Sequence, residues 1–189
     1  MASRARLPAD AALIIIDVQK GFDEPVWGRR NNLGAEKKVS KLLAAWRSGG
    51  RPVFHVKHMS RFPRSPLRRG KPGNAIKDEA KPRAGEPVIE KNVNSAFIGT
   101  DLEERLRAAG IKTLVMAGLT TDHCVSTTAR MAGNMGFDCY VVADATATFD
   151  RAGHDGRRFS AEDVHEISLA SLNGEFATVL ESAEVLGML

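Results

Sequence analysis

Cys124 is the residue of this sequence whose position is best suited to chemistry. Residues 113–125 are predicted to form a buried strand, a tight turn and the start of a helix, with Cys124 in the first turn of that helix. Unpaired backbone N–H groups and the positive end of a helix dipole favour the thiolate, which is the nucleophilic form of cysteine. The sequence therefore predicts that Cys124 is a catalytic nucleophile.

Two charged residues end other short apolar runs and are candidates for partners of this thiol. Asp17 follows the run Ala-Ala-Leu-Ile-Ile-Ile, and Lys91 follows Val-Ile-Glu. The carboxyl ends of parallel strands share one edge of a sheet, where ligands bind, so both side chains can converge on Cys124. Asp17 can accept the thiol proton and pass it to a leaving group, while Lys91 can stabilise the thiolate and hold Asp17 in place. The predicted catalytic residues are therefore Asp17, Lys91 and Cys124.

Short apolar runs that fit buried strands alternate along the chain with segments of helical periodicity. This alternation predicts an α/β fold, with three α/β/α layers and a mainly parallel, Rossmann-like sheet of about six strands. One helix start carries a capping box, with Thr100 as N-cap and Glu103 three residues later. Predicted strands are residues 11–17, 52–56, 88–91, 137–143, 177–180 and one starting at 113; predicted helices are 33–49, 100–110, 160–173 and the Cys124 helix ending at Gly136.

Length and cysteine content limit the possible classes of protein. The 189 residues fit a single domain spanning 1–189, and no apolar run approaches the roughly 20 residues that span a bilayer. The N-terminus does not resemble a signal peptide, and two cysteines do not make a disulfide framework or a structural zinc site. We therefore expect a cytoplasmic protein that does not bind membranes. Cys139, within an apolar strand, is predicted to be an inert buried thiol.

The positive charge of the chain is concentrated in one segment. Residues 57–83 carry nine basic and two acidic side chains, although the whole chain has a net charge of only +4. Five of the eight prolines lie between 57 and 87, which predicts a long basic loop at about 57–87. This loop fits a solvated surface or a subunit contact, or an anion-attracting rim of a substrate pocket. Nucleic acid is not the expected partner, because aromatic residues are not interleaved with the charges.

Four motifs together resemble one family of enzymes. They lie at residues 15–22, around Asp17; at 90–97, around Lys91; at 118–125, around Cys124; and at 144–149, with the sequence Asp-Ala-Thr-Ala-Thr-Phe. In this order, on an alternating α/β pattern, they are similar to the isochorismatase-like cysteine hydrolases. That superfamily includes nicotinamidases, N-carbamoylsarcosine amidohydrolase and streptothricin hydrolase. The resemblance covers nearly the whole chain.

The resemblance implies a mechanism and a set of site residues. It implies the triad Asp17, Lys91 and Cys124, a cis peptide bond between Leu119 and Thr120, and an oxyanion hole formed by the backbone N–H groups of Thr120 and Cys124. The implied reaction is hydrolysis of a C–N bond in a small molecule through a thioester at Cys124. It also implies a homodimer or a larger homo-oligomer.

Further residues are candidates for the walls of the substrate pocket, each with a structural alternative. Phe22 and Phe97 follow the Asp17 and Lys91 motifs, but phenylalanine also fills cores. Gln19 can orient the aspartate or a substrate, or cap a turn. His58 can face the pocket, anchor a loop or bind a metal. The predicted pocket residues are Gln19, Phe22, His58, Phe97 and Leu119.

One departure from the resembling enzymes concerns metal binding. Nicotinamidases of the superfamily carry an Asp-x-His-x-His spacing near the second strand, whereas this chain has His55-Val-Lys-His58. We therefore expect no metal and no cofactor, and nicotinamide becomes a doubtful substrate. Two other functions stay open at this point. One is isochorismatase-type hydrolysis of a vinyl ether with Asp17 as acid, and the other is a non-catalytic binding protein.

Overall fold

The computed structural model of the protein, which describes residues 6–189, confirms the predicted three-layer α/β fold. Its helices are α1 (Ala35–Ser48), α2 (Leu102–Ala108), α3 (Ser126–Asn134), α4 (Ala161–Leu172) and α5 (Ser182–Leu186). Its strands are β1 (Ala12–Ile16), β2 (Val53–His58), β3 (Val88–Lys91), β4 (Thr113–Leu119), β5 (Asp138–Ala147), β6 (Arg151–Ala152), β7 (Arg158–Phe159) and β8 (Thr178–Leu180). Six parallel strands form the main sheet in the order β3-β2-β1-β4-β5-β8.

Strand β1 lies at the centre of the sheet and is buried on both faces. Ile14 and Ile16 point into the core beneath α2, α3 and α4, while Leu13 and Ile15 point into the core beneath α1 and α5. Successive strand side chains alternate between faces, so a strand covered on both sides must be apolar throughout. The continuous run of isoleucines is therefore explained by the position of β1, and the residue that follows it arrives at the middle of the sheet edge.

The connection between β2 and β3 contains only two short 3-10 turns, Pro72–Asn74 and Asp78–Ala80. It is nevertheless tied to the body of the protein by buried polar contacts. Lys77 Nζ lies 2.7 Å from Glu36 Oε1 at the start of α1, and Gln19 Nε2 donates to the Asn74 carbonyl at 2.9 Å. These contacts therefore hold the basic segment at about 57–87 in a fixed position.

Several predicted boundaries differ from the structure. The capping box is wrong: α2 begins at Leu102, and the Thr100 hydroxyl instead donates to the Ala96 carbonyl at 2.5 Å. Glu103 pairs with Arg107, one turn further along the same helix. Strand β5 is longer than predicted, α5 and the β6–β7 hairpin were not predicted, and a π-helical turn precedes α3. The strands β6 and β7 have two residues each and α5 has five, so their sequence signals are short.

Among residues 6–189, the structure has no helix of the length and apolarity that crossing a bilayer requires. The expected cytoplasmic location stays a prediction. So does the single domain spanning 1–189, whose first five residues lie outside the described part.

Gly118 brings the two central strands together immediately beside Asp17. It pairs with Ile16 in the β1–β4 ladder and has a φ of +130°, a conformation that favours glycine. A Cβ atom at this position would lie 1.9 Å from the Ile16 carbonyl oxygen, so any side chain would push the strands apart. The position therefore requires glycine for both its conformation and its close contact.

Gly118→Ala is expected to lower the free energy of unfolding by more than about 3 kcal/mol, because the backbones of β1 and β4 must separate. Gly110→Ala is the matched control. Gly110 also has a positive φ, +71°, but no atom would lie within 4 Å of an added Cβ, so only about 1–2 kcal/mol of backbone strain is expected. Urea unfolding measures both values. Equal losses for the two variants would contradict the steric explanation.

Candidate active site

The structure brings Asp17, Lys91 and Cys124 together at the carboxyl edge of the sheet. The Lys91 ammonium Nζ lies 2.5 Å from Asp17 Oδ2 and 3.2 Å from Cys124 Sγ. Both charged side chains are fully buried, and Cys124 is 7% exposed. A buried ammonium paired with a buried carboxylate leaves neither charge unsatisfied. The three residues lie 74 and 33 positions apart in sequence, and only the parallel sheet makes them neighbours.

Asp17 reaches the site through an unusual backbone conformation. It directly follows β1 and has a φ of +51°, in the left-handed region that few non-glycine residues occupy. Its N–H donates to the Val56 carbonyl at 2.9 Å, so the reversal starts from a fixed point on β2. Asp17 Oδ1 is buried and has no hydrogen-bond partner among residues 6–189. This oxygen is available to accept a proton.

Cys124 lies in the π-helical turn Thr121–Val125, which three side-chain hydrogen bonds hold in place. The Asp122 carboxylate accepts from Arg151 Nε at 2.7 Å and from the Thr148 hydroxyl at 2.5 Å. The side chain of Thr121 bonds to His165 Nδ1 at 2.9 Å.

Sequence reasoning missed Asp122 and His165, although Asp122 lies inside the Cys124 motif. The pKa of the Asp122 carboxyl is lowered, because hydrogen bonds from Arg151 and Thr148 outweigh the opposing effect of burial. The turn that presents Cys124 is therefore held by an ionised carboxylate.

The peptide bond between Leu119 and Thr120 is cis. The Thr120 carbonyl accepts from the N–H groups of His123 and Val125, both at 3.1 Å. No acceptor for the Thr120 N–H is found in the described part of the chain. This N–H and that of Cys124 belong to the same turn, which begins where β4 ends.

Burial and the charge of Asp17 favour the protonated thiol, whereas a helix dipole by itself favours the thiolate. Burial raises the pKa of Cys124 above its ordinary value, the charge of Asp17 raises it further, and Lys91 opposes both. Burial opposes the charged form of Lys91, but Asp17 and Cys124 outweigh it and raise the pKa of the ammonium. Placing a thiolate in a buried site next to a carboxylate costs free energy, and this cost opposes the effect of the helix dipole.

His58 provides a third contact to the ammonium. Its Nδ1 lies 3.0 Å from Lys91 Nζ, and His58 and Lys91 are paired neighbours at the ends of β2 and β3. Burial and the charge of Lys91 lower the pKa of His58. His55, three residues earlier on β2, belongs to a different network and bonds to Glu86. The two histidines therefore do not converge on a common ligand.

Three potential metal ligands surround the position of the ammonium. Ligand atoms of Asp17, His58 and Cys124 all lie within 4.8 Å of one another, a spacing that suits a transition metal. Lys91 Nζ contacts each of these residues at 3.2 Å or less. The charge that would attract a cation to this cluster is therefore neutralised by the protein itself, so the residues do not fit a metal.

A cavity of about 540 Å³ opens beside the three candidate catalytic residues. Trp27, Phe62 and Leu67 give it apolar walls, and Arg64 and Asn94 add polar groups. Asn94 Oδ1 lies 3.9 Å from Cys124 Sγ, which links the cavity to the thiol. The remaining lining residues are Val26, His58, Ser60, Ser65, Pro66 and His123.

Of the five predicted pocket residues, only His58 lines this cavity. Phe97 stacks on Phe137 in the core, with ring centroids 5.9 Å apart, so its assignment to the pocket is corrected. Phe22 and Leu119 pack in a small buried cluster behind Trp27.

Gln19 is a fully buried anchor, not a pocket residue. It accepts from the His58 backbone N–H at 2.8 Å and donates to the His58 carbonyl at 3.1 Å. Alternation and motif order placed these residues near the site, but did not show which way each side chain points.

Lys91→Met is expected to lower the free energy of unfolding by about 3–5 kcal/mol, because Asp17 is left as a buried charge without its partner. Adding Asp17→Asn should recover part of this loss, since the unpaired charge is removed. Lys112→Met, at an exposed lysine, should change stability by less than about 0.5 kcal/mol. Urea unfolding of the single and double variants measures the coupling. Strictly additive losses would contradict a paired ammonium and carboxylate.

Comparisons with known proteins identify the family. The family described as Isochorismatase domain matches residues 11–184. The uncharacterized isochorismatase family protein YrdC of Bacillus subtilis is 49% identical, over 93% of this chain and 94% of that protein. The crystal structure of an isochorismatase-family protein from Chromobacterium violaceum is 46% identical, with a TM-score of 0.95, covering 100% of this chain and 98% of that chain.

Some more distant relatives are named for an activity. Nicotinamidase 3 of Arabidopsis thaliana is 30% identical over 90% of this chain and 84% of that protein. Maleamate amidohydrolase of Pseudomonas putida is 28% identical, over 93% of this chain and 86% of that protein. A cysteine hydrolase from Pseudomonas syringae is 27% identical, with a TM-score of 0.87, covering 100% of this chain and 98% of that chain. The matched residues span nearly the whole chain and include all three buried catalytic candidates, and the protein therefore belongs to the isochorismatase family of hydrolases.

Proposed function

We propose that this protein is a metal-independent cysteine hydrolase that cleaves a C–N bond of a small molecule through a thioester at Cys124. The observation that carries the proposal is the position of the Lys91 ammonium, bonded at once to a carboxylate and to a thiol. A carboxylate and a cation next to a cysteine form an activated nucleophile system. The names of amidohydrolase and cysteine hydrolase relatives support the same chemistry.

Asp17 acts as the general base in the proposed first step, because its Oδ1 has no other partner among residues 6–189 and burial favours the protonated thiol. It takes the proton of Cys124 as sulfur attacks the carbonyl carbon. Backbone N–H groups of Thr120 and Cys124 stabilise the oxyanion, a contribution of about 3–4 kcal/mol for each donor. The carboxyl of Asp17 then gives the proton to the departing nitrogen, and the C–N bond breaks.

The second half of the reaction returns the enzyme to its starting state. Asp17, again a carboxylate, takes a proton from a water that attacks the thioester carbonyl. Collapse of the tetrahedral intermediate breaks the C–S bond, and Cys124 recovers its proton from Asp17. Throughout both steps Lys91 keeps its charge and stabilises the negative charge that alternates between sulfur and carboxylate.

Independence from metal follows from the same contacts. The ammonium provides the positive charge that a metal would otherwise supply to the Asp17, His58 and Cys124 cluster. The separation of His55 into a different network also argues against the metal arrangement of nicotinamidases. An amide other than nicotinamide is therefore the proposed substrate.

The cavity supports a small substrate with a negative charge away from the scissile bond. Its size falls within the usual range for ligand pockets of about 300–1,000 Å³. None of its lining residues is acidic, and Arg64 has no ion-pair partner among residues 6–189. Arg64 belongs to the basic segment, so this proposal adopts the alternative in which that segment forms an anion-attracting rim. Association into homo-oligomers stays a prediction.

Cys124→Ser is expected to lower the rate of hydrolysis of the best C–N substrate by at least about 10³-fold, because a serine hydroxyl is a much weaker nucleophile than a cysteine thiol. A panel of amides, ureides and carbamoyl compounds, with one vinyl ether, identifies that substrate. Rapid quenching and mass spectrometry should find an acyl group on Cys124, and activity should survive chelators. Cys139→Ser is the control and should retain activity. Undiminished activity of Cys124→Ser, on the amides or on the vinyl ether, would contradict the proposal.

Arg64→Gln is expected to lower kcat/KM for an anionic amide such as succinamate by about fivefold, near 1 kcal/mol for one exposed charge. Succinamide is the neutral isostere, and its hydrolysis should change little. Arg68→Gln removes a charge from the same loop without touching the cavity and is the matched control. Added salt should weaken the preference for the anion in the unsubstituted protein. An equal loss for both substrates would contradict charge recognition by Arg64.

A further inference from the structure

We propose that His58 is a positioning residue whose neutral imidazole holds the Lys91 ammonium between Asp17 and Cys124, and that protonation of His58 switches the site off in acid. This inference rests on the proposed role of Cys124 as nucleophile. His58 acts through Lys91, so it needs no contact with the reacting atoms.

The contacts of Lys91 define the state of the imidazole. An ammonium has three N–H donors and no lone pair, and Nζ has three partners: Asp17 at 2.5 Å, His58 at 3.0 Å and Cys124 at 3.2 Å. His58 Nδ1 must therefore accept, which places the imidazole proton on Nε2. Each N–H of the ammonium thus has an acceptor, and removing His58 leaves one of them unmatched.

The backbone of His58 is fixed relative to both charged residues. The Gln19 side chain accepts a hydrogen bond from the His58 N–H at 2.8 Å and donates one to the His58 carbonyl at 3.1 Å. Gln19 lies two positions after Asp17. On the other side, His58 and Lys91 are register partners in the β2–β3 ladder. The imidazole is consequently held at a set distance from the ammonium, as a positioning role requires.

The charged groups around His58 determine the direction of its pH response. Lys91 faces it from β3, Asp17 from the end of β1 and Cys124 from the π-helical turn, while Arg64 and His123 line the same cavity. Burial and Lys91 lower the pKa of His58 below its ordinary 6.5, against the opposing charge of Asp17. Above that pKa the neutral ring accepts from Lys91. Below it an imidazolium faces an ammonium, so Lys91 loses its position as the pH falls.

The experiment compares alkylation of Cys124 by iodoacetamide in the unsubstituted protein, His58→Asn and His58→Leu between about pH 4.5 and 8. The Asn side-chain oxygen replaces Nδ1 as an acceptor that does not titrate, whereas Leu has no acceptor. His154→Asn, at an exposed loop histidine, is the control. At each pH the rate of the unsubstituted protein is divided by the rate of the variant. The pH dependence of alkylation that both proteins share then cancels from the ratio. Thermal unfolding verifies that each variant is folded.

We expect the ratio of the unsubstituted rate to the His58→Asn rate to be constant at neutral pH and to fall about tenfold per pH unit below the pKa of His58. The His154→Asn ratio should be flat, and His58→Leu should be at least about tenfold slower at neutral pH. A flat ratio for His58→Asn, or unchanged rates in folded His58→Leu, would overturn the proposal. If His58→Leu does not fold, the His58→Asn ratio still decides.

A second readout separates this inference from the proposed function. Nitrogen-15 NMR of the imidazole in unsubstituted protein should show the Nε2–H tautomer at neutral pH, and Nδ1 should lose its acceptor character on acidification. Slow alkylation of Cys124, at the rate of Cys139, would refute the proposed nucleophile while the NMR result still tests the Lys91 contact. An Nδ1–H tautomer would overturn the inference even if Cys124 proves catalytic.

Discussion

The structure depends on satisfying one buried ammonium. Lys91 is fully buried, and an unpaired charge in that position would cost several kcal/mol. Its three acceptors come from three different segments: Asp17 after β1, His58 at the end of β2 and Cys124 beyond β4. A parallel sheet is the arrangement that brings such ends to one edge. The same contacts that remove the electrostatic penalty also assemble the proposed nucleophile, so stability and the proposed chemistry share one constraint.

The burial of the site affects how Cys124 can be activated in the proposed mechanism. Cys124 and Cys139 are both buried, and burial raises the pKa of both thiols, that of Cys139 to about 12. A lowered pKa therefore does not distinguish the proposed nucleophile Cys124 from Cys139. The difference lies in the neighbours: Cys124 has a carboxylate oxygen without another partner and an ammonium, whereas Cys139 contacts the Phe137 carbonyl. In the proposed mechanism, reactivity therefore depends on a base that acts during the reaction, not on a thiolate that exists beforehand.

Sequence patterns predicted the fold and the three converging side chains, because apolar strands and their polar ends obey local rules. They did not predict the positive φ of Asp17 or the approach of Gly118 to Ile16, since both depend on the packing of β1 against β4. Phe97 was placed near the pocket by its motif, but the direction of its ring is set by Phe137. Contacts between distant segments decide the orientation of a side chain, and a single sequence does not display them.

The basic segment that lines part of the cavity is anchored by a second buried ionic cluster. The pH dependence of this cluster differs from that of the candidate active site. Burial opposes ionisation of Glu36, but hydrogen bonds from Arg30 and Lys77 outweigh it and lower its pKa to about 2. A carboxyl with a depressed pKa gives its stabilisation above the unfolded value and loses it only as the pH falls towards the folded value. At pH values well above 2 Glu36 thus stays ionised and Lys77 stays attached, whereas the proposed switch at His58 acts as the pH falls below the lowered pKa of that residue. Acid inactivation in this range would therefore arise at Lys91 and not from release of the loop.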